Sequence, residues 1–293
     1  MRVGVIGAGA WGSALAFAFS QKNDVVITSR RKRDIPNFVT IQEALECEYL
    51  VITVPAQEVA SWLENNFVFK NQKILVASKG IEAKTGRFLN EIYTQYIPED
   101  NVAYLSGPSF AKEVKQSLPT ALVVSSTNAQ LSKDFVELLP DFIKGYTSDD
   151  VVGAEVAGAY KNVIAIAAGV AQGLNLGQNA SAALISRGLV EMHRFAKAYG
   201  AKDETFIGLG GSGDLFLTAS STMSRNFRVG LGLAQGKTKE QIIEELGEVA
   251  EGVGTAYALK NIAQELHTPI ATEVYKLLEG KNPQESLVDL LKS

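Results

Sequence analysis

Lys161 stands inside an alanine-rich apolar run, residues 151–174, with Ala157 and Ala165 four residues to either side. An ammonium group on a small, apolar helix face loses hydration, and its pKa falls toward the range where it can donate or accept a proton near neutrality. The same lysine also reads as a snorkelling side chain, or as half of an ion pair with Asp214 or Glu155, and the residues alone leave these open. Lys79, in Ala77-Ser78-Lys79-Gly80, follows an apolar run that ends at 77, although a lone Lys-Gly is also an ordinary surface turn. The triplet Ser224-Arg225-Asn226 combines a hydroxyl, a guanidinium and an amide, a set suited to a phosphate or carboxylate. A helix cap followed by a surface arginine accounts for it equally well.

Glycine is the unusual component of the composition, 26 of 293 residues against 8 prolines, and suggests several places where backbone must approach something closely. One cluster is Gly7-Ala8-Gly9-Ala10-Trp11-Gly12, a GxGxxG placed directly after an apolar strand pattern and directly before an apolar helix pattern. In that context Gly7 permits the tight turn, Gly9 lets backbone reach a pyrophosphate, and Gly12 allows close helix-to-strand packing. The helix N-terminus presents oriented amides to the negative charge. Where a dinucleotide fold places an acid for the ribose of NAD, this chain has Ser29-Arg30-Arg31-Lys32-Arg33. Guanidinium groups there pair with a 2'-phosphate, so NADP(H) is expected. Asp34, directly after the cluster, leaves use of NAD(H) open.

These groups need elements to position them. Short β-branched runs at 2–6, 25–28, 49–54, 73–77, 102–105 and 121–125 alternate with helical or polar segments, including helix patterns at 12–20, 56–63 and 84–96. That alternation predicts a parallel sheet with crossover helices. Beyond about residue 150 the pattern is helical, at 151–174, 180–199, 212–224, 239–251, 255–266 and 269–278. The expected fold class is therefore α/β plus all-α, with a Rossmann-type dinucleotide-binding domain at 1–148 and a helical domain at 149–293. The segment 33–44 is short for a crossover and contains Pro36; residues 38–41 are expected to form a short strand.

Composition narrows the function. A net charge of -4 gives no broad basic surface for nucleic acid. The single cysteine, Cys47, points to a reducing compartment, the cytoplasm, and two histidines without ligand spacing argue against a metal site. The run 151–174 is broken by Glu155, Lys161 and Asn162, which predicts a buried central helix and no membrane span. The N-terminal apolar run stops at Gly7, too short for a signal peptide.

Taken in order, GxGxWG, Ser78-Lys79-Gly80, Gly107-Pro108-Ser109-Phe110-Ala111-Lys112-Glu113, Gly158-Ala159-Tyr160-Lys161-Asn162, Gly213-Asp214-Leu215, Ser224-Arg225-Asn226 and Val249-Ala250-Glu251-Gly252 resemble the bacterial NAD(P)-dependent glycerol-3-phosphate dehydrogenases. The resemblance spans nearly the whole chain. It implies a helical domain like that of 6-phosphogluconate dehydrogenase and reversible reduction of dihydroxyacetone phosphate to sn-glycerol 3-phosphate, a phospholipid precursor. It implies a homodimer as well. Lys161 then matches the catalytic acid/base, aided by Lys79 and Asp214. Lys79, Gly107, Ser109, Lys161, Asn162, Asp214, Thr218, Ser224, Arg225 and Asn226 match substrate positions. Gly7, Gly9, Ala10, Trp11, Gly12, Arg30, Arg31, Arg33, Lys79, Ala111, Arg225, Val249 and Glu251 match cofactor positions. Two other readings are a related hydroxy-acid or sugar-phosphate dehydrogenase, against which Ser224-Arg225-Asn226 argues, and a non-catalytic NADPH sensor, which has no need of Lys79, Lys161 and Asp214 together.

The cationic loop gives a test. Replacing Arg30 and Arg31 together by glutamate is expected to move the ratio of kcat/KM values from NADPH toward NADH; an unchanged ratio would make the loop a solvated one.

Overall fold

A computed structural model describes residues 1–292. The apolar runs of the N-terminal half form β1 (Arg2–Ile6), β2 (Asp24–Thr28), β3 (Tyr49–Ile52), β4 (Lys73–Val76), β5 (Val102–Ser106) and β6 (Thr120–Ser125). With β7 (Ile143–Ser148) they make one sheet in the order β2-β1-β3-β4-β5-β6-β7. Pairing is parallel throughout except between β5 and β6, so the expected all-parallel sheet is corrected at that one step. Strict alternation divides the side chains between the faces. Val3, Val5, Tyr49, Val51, Leu75, Ala103 and Leu105 enter one core, and Ile6, Leu50, Ile52, Ile74, Val76, Val102 and Tyr104 enter the other. Both faces are apolar because both are covered by helices.

The first face is covered by α1 (Ala10–Ser20), through Ala14, Leu15, Ala18 and Phe19. The second carries α2 (Ile41–Leu45), α3 (Val59–Asn66) and α4 (Leu89–Tyr93), through Ala44, Val59, Leu63, Leu89, Ile92 and Tyr93. Helices α5 (Ala111–Lys115) and α6 (Ala129–Glu137) complete the first face. Two expectations change here. Residues 38–41 contribute one parallel bridge, Phe38 to Ile27, before a Thr40 capping box starts α2. The helix pattern at 84–96 yields only Leu89–Tyr93, because Gly86 takes a positive φ of 75° and Ile81 bridges back to Phe88.

The second half winds around α7 (Val151–Gly173). This is the one described helix long and apolar enough to cross a membrane, and its apolar window is 94% buried inside the protein, as expected of a central core helix. The others are α8 (Gly177–Ala198), α9 (Asp203–Ile207), α10 (Asp214–Ala219), α11 (Arg225–Ala234), α12 (Lys239–Leu246), α13 (Glu251–Ile262), α14 (Pro269–Leu278) and α15 (Pro283–Lys292). Helix α11 was not anticipated, and the pattern at 212–224 is not one helix. Gly210, Gly211 and Gly213 fold into a π-turn, Leu209–Gly213, before α10, and Ser224 then caps α11 by accepting from the Phe227 N–H at 3.2 Å. Helix α12 stops at Gly247, whose φ of 62° is left-handed, so α13 begins four residues ahead of its expected start. Helices α7 and α11 cross through Gly169 and Gly230, where a Cβ would fall 2.0 Å from a backbone oxygen of the partner helix.

A buried carboxylate joins the two halves. Glu155 on α7 reaches the first turn of α4 and accepts from the Asn90 N–H at 3.1 Å. Burial pushes its carboxyl up to about 8, against the opposing pull of the Asn90 and Leu89 N–H groups and the Lys79 charge. Between its ordinary value of 4.5 and about 8, the native state therefore holds a proton that the unfolded chain releases, and stability falls as pH rises through that window. Urea unfolding at several pH values across this range is expected to show that decline, and Glu155→Gln should flatten it. An equal slope in the variant would mean the native carboxyl is already ionised.

Candidate active site

A cleft of about 1620 Å³ runs along the carboxyl ends of β1 to β4 and over α7, α11 and the start of α13. Carboxyl edges of parallel strands are where open α/β sheets bind ligands. At the sheet end, Gly7 has a φ of 111° and its N–H donates to Thr28 O at 2.8 Å, closing the turn into α1. A Cβ on Gly12 would lie 1.9 Å from Gly7 O, so that glycine is demanded by helix packing on the turn. Gly9 differs, because a Cβ there would meet no protein atom within 4 Å. No neighbouring protein atom requires glycine at that position, and the open space there leaves room for a ligand against the α1 N-terminus. Arg30, Arg31, Lys32 and Arg33 line the same cleft. The residues therefore fit a dinucleotide with an extra phosphate.

At the other end three side chains converge. Lys79 comes from the loop after β4, Lys161 from mid-α7, and Asp214 from the first residue of α10. Lys161 Nζ donates to Asp214 Oδ1 at 2.5 Å and to Thr218 Oγ1 at 2.9 Å, while Lys79 Nζ donates to Asp214 Oδ2 at 2.7 Å. Each carboxylate oxygen thus holds one ammonium. The stem of Lys79 reaches this point by lying over Gly158, where a Cβ would be 3.2 Å from Lys79 Cγ. Burial lowers the Lys161 pKa to about 8, with Asp214 opposing that shift and Lys79 adding to it. Burial acts to raise Asp214, but the two ammonium charges outweigh it and its pKa is lowered. The cluster carries a surplus positive charge and presents both lysines to the cleft wall. It can hold an anion and exchange a proton with it.

Asn162 and Asn226 close the floor. Asn226 Nδ2 donates to Asn162 Oδ1 at 2.9 Å, and Asn226 Oδ1 accepts from the Gly252 N–H at 2.9 Å, tying α7, α11 and α13 together. Asn162 Nδ2 donates to Gly158 O at 3.1 Å. Each amide nitrogen keeps a second hydrogen for a ligand. Arg225, at the start of α11, is partly exposed at the cleft with Nη1 3.6 Å from Glu248 Oε2. Glu251 accepts from the Ala56 N–H through Oε1 at 3.1 Å, while its Oε2 is buried without a partner. Burial pushes this carboxyl up to about 7, opposed by the Ala56 N–H and Arg225. Trp11 donates its indole N–H to Ala77 O at 3.1 Å and faces the cleft with Ala10, Ser109 and Val249.

Five expected site residues do not line the cleft. Asp214, 1% exposed, and Thr218 lie behind Lys161; Ser224 is spent on the α11 cap. Gly107, with a φ of 109°, is there because a Cβ would stand 2.9 Å from Ala121 O of β6. Ala111 begins α5 and packs on the first core. In the other direction, Thr53 and Ser78 line the cleft without having been singled out. Thr53 Oγ1 donates to Ile6 O at 3.0 Å, beneath the glycine turn. Its place just past the end of β3, next to β1, is the signal that could have found it.

Residues 35–132 match the family described as NAD-dependent glycerol-3-phosphate dehydrogenase N-terminus, and residues 150–289 match the corresponding C-terminus family. A glycerol-3-phosphate dehydrogenase (NAD(P)+) of Sulfurimonas denitrificans is 66% identical over 100% of this chain and 99% of its own length. One from Nitratiruptor sp. is 59% identical over 100% and 98%. Among solved structures, a glycerol-3-phosphate dehydrogenase from Coxiella burnetii superposes with a TM-score of 0.92 at 34% identity, covering 100% of this chain and 99% of that one. Full-length identity at this level, both family matches and the shared architecture lead to one conclusion: the chain belongs to the NAD(P)-dependent glycerol-3-phosphate dehydrogenase family.

Proposed function

We propose that the cleft carries out the reversible NAD(P)H-dependent reduction of dihydroxyacetone phosphate to sn-glycerol 3-phosphate, with Lys161 as the proton donor and acceptor. The observation that carries this reading is the pair of lysines on one buried carboxylate, in the same cleft as the glycine turn. The reduced nicotinamide, when bound, supplies a hydride to C2 of the substrate. Electron density then moves onto the C2 oxygen, and Lys161 Nζ gives that oxygen a proton; in the oxidative direction the neutral amine takes it back. Lys79 stabilises the developing alkoxide, since a fixed ammonium is worth most where water is excluded. Asp214 orients both lysines and Thr218 supports Lys161, so these two act without touching substrate.

Arg225 and the free N–H groups of Asn162 and Asn226 hold the substrate phosphate, which supplies remote binding energy that orients the carbonyl. Ser109 adds a hydroxyl at the same wall. Gly7, Gly9, Ala10 and Gly12 receive the pyrophosphate, Arg30, Arg31 and Arg33 the 2'-phosphate, and Trp11, Val249 and Glu251 line the remaining cofactor wall. The same reading divides the chain into domains at 1–148 and 149–293 and places it in the cytoplasm, feeding phospholipid synthesis.

The test is NADPH oxidation with dihydroxyacetone phosphate beside unphosphorylated dihydroxyacetone. Turnover is expected with the phosphate ester alone, and Lys161→Ala should abolish it while still binding NADPH. In the wild type, kcat/KM for reduction should fall as pH rises past about 8, because the acid form is the donor. For oxidation it should rise through the same range, because the base form is the acceptor. Flat profiles in both directions would take Lys161 out of the proton transfer.

A further inference from the structure

The short 3-10 turn after β3, Ala56–Glu58, meets the site from behind. The Ala56 N–H is held by Glu251, and its neighbour Gln57 is an exposed residue that does not line the cleft. Both polar atoms of the Gln57 amide are nevertheless committed to the main chain just beyond Lys79. Nε2 donates to Ile81 O at 2.8 Å, and Oε1 accepts from the Ala83 N–H at 2.8 Å. A primary amide supplies that donor and acceptor together; a carboxylate or a hydrocarbon does not. Between Lys79 and Ile81 stands Gly80, whose φ of 157° makes it a joint that ordinary residues adopt rarely. Lys79 therefore hangs from a permissive backbone position that is pinned on its far side by Gln57. The amide is in turn backed by α13, because Gly254 has no side chain and a Cβ there would fall 2.5 Å from Gln57 Nε2.

We infer that Gln57 is a positioning residue for Lys79, clamping main chain 81–83 against α13 so that the lysine ammonium is held on Asp214 at the cleft wall. The inference rests on the role given to Lys79 above. Three contacts fix the lysine: Gln57 sets the loop, Gly158 leaves room for the stem, and Asp214 anchors the nitrogen. Because Gln57 is exposed, replacing it opens no cavity, so lost activity is separable from lost stability.

The experiment compares Gln57→Leu, Gly254→Ala, Lys79→Met and the double variant Gln57→Leu/Lys79→Met. Readouts are kcat, KM for NADPH, thermal midpoint, and NADPH binding by quenching of tryptophan fluorescence, Trp11 and Trp62 both lining the cleft. Gln57→Leu is expected to lower kcat about tenfold while KM for NADPH stays within about twofold, the signature of a displaced group rather than a damaged cofactor site. Gly254→Ala should lower kcat in the same way while its thermal midpoint holds or rises, since alanine favours the helix. In the double variant, Gln57→Leu should add nothing to the loss caused by Lys79→Met. If the two losses multiply instead, Gln57 does not act through Lys79 and the inference is overturned. If Lys79→Met is crippled and Gln57→Leu is not, the inference alone fails. Wild-type turnover by Lys79→Met would sink the role of Lys79 itself, and the inference with it.

Discussion

A single buried carboxylate, shared by two ammonium groups, is the constraint on which the arrangement depends. Asp214 is 1% exposed and touches Lys79 through one oxygen and Lys161 through the other. Two like charges brought this close in a water-poor setting repel by several kcal/mol at about ε 20, so neither lysine could be held there charged without an anion between them. Buried ion pairs add little net stability, because desolvation offsets most of the Coulomb gain. The cluster is better understood by what it leaves over. It carries one surplus positive charge at the wall of a cleft, and that surplus is available to an anionic substrate.

The same contact bridges the two halves. Lys79 belongs to the sheet half, and Lys161 and Asp214 to the helical half. Packing Ile81 and Phe88 into the helical core brings the Lys79 loop within reach of Asp214. Glycines make the close approaches possible, though for two distinct reasons. Gly9 meets no protein atom, and the open space beside it lies where the proposed dinucleotide would run. Gly12, Gly169, Gly210, Gly211 and Gly230 answer to neighbouring protein atoms, each with less than 3.0 Å available for a Cβ. The glycine excess, read from the sequence as backbone that must approach something closely, is in good part room for helices and turns.

What the sequence made legible followed period and motif. Strands buried on both faces stand out as apolar runs, and six of the seven strands were found. Strand β7 was not, because Ile143 is its one buried residue and it carries Gly145 and the exposed Tyr146, whereas the other edge strand, β2, buries Val25, Val26 and Ile27. Helix α11 escaped because Gly230, which the α7 crossing requires, and Gly232, which packs on Ile242 of α12, dilute the helical pattern. At the site, the lysines and the glycine turn were visible as types at spacings. Gln57 and Glu155 were not visible in those roles, because their partners are main-chain groups of Ile81, Ala83 and Asn90, and no side-chain motif encodes a main-chain partner.

Three buried carboxylates near the junction show how environment divides one chemistry into different states. Glu155 and Glu251 each reach from the helical half to a backbone N–H of the sheet half, and the cations that act on them, Lys79 and Arg225, form their ion pairs with Asp214 and Glu248 instead. Burial wins there, raising them to about 8 and about 7. Asp214 is just as buried, yet two ammonium groups hold its pKa down. Near neutral pH, then, Glu155 is largely uncharged and Glu251 is near its midpoint, so neither cancels the field of the lysines as a fully ionised carboxylate would. Had both stayed ionised, their charge would have opposed an anionic substrate as it entered. The interface thus joins the halves through hydrogen-bonded carboxyls of reduced charge, and the positive potential of the Lys79–Lys161–Asp214 cluster is left to face the cleft.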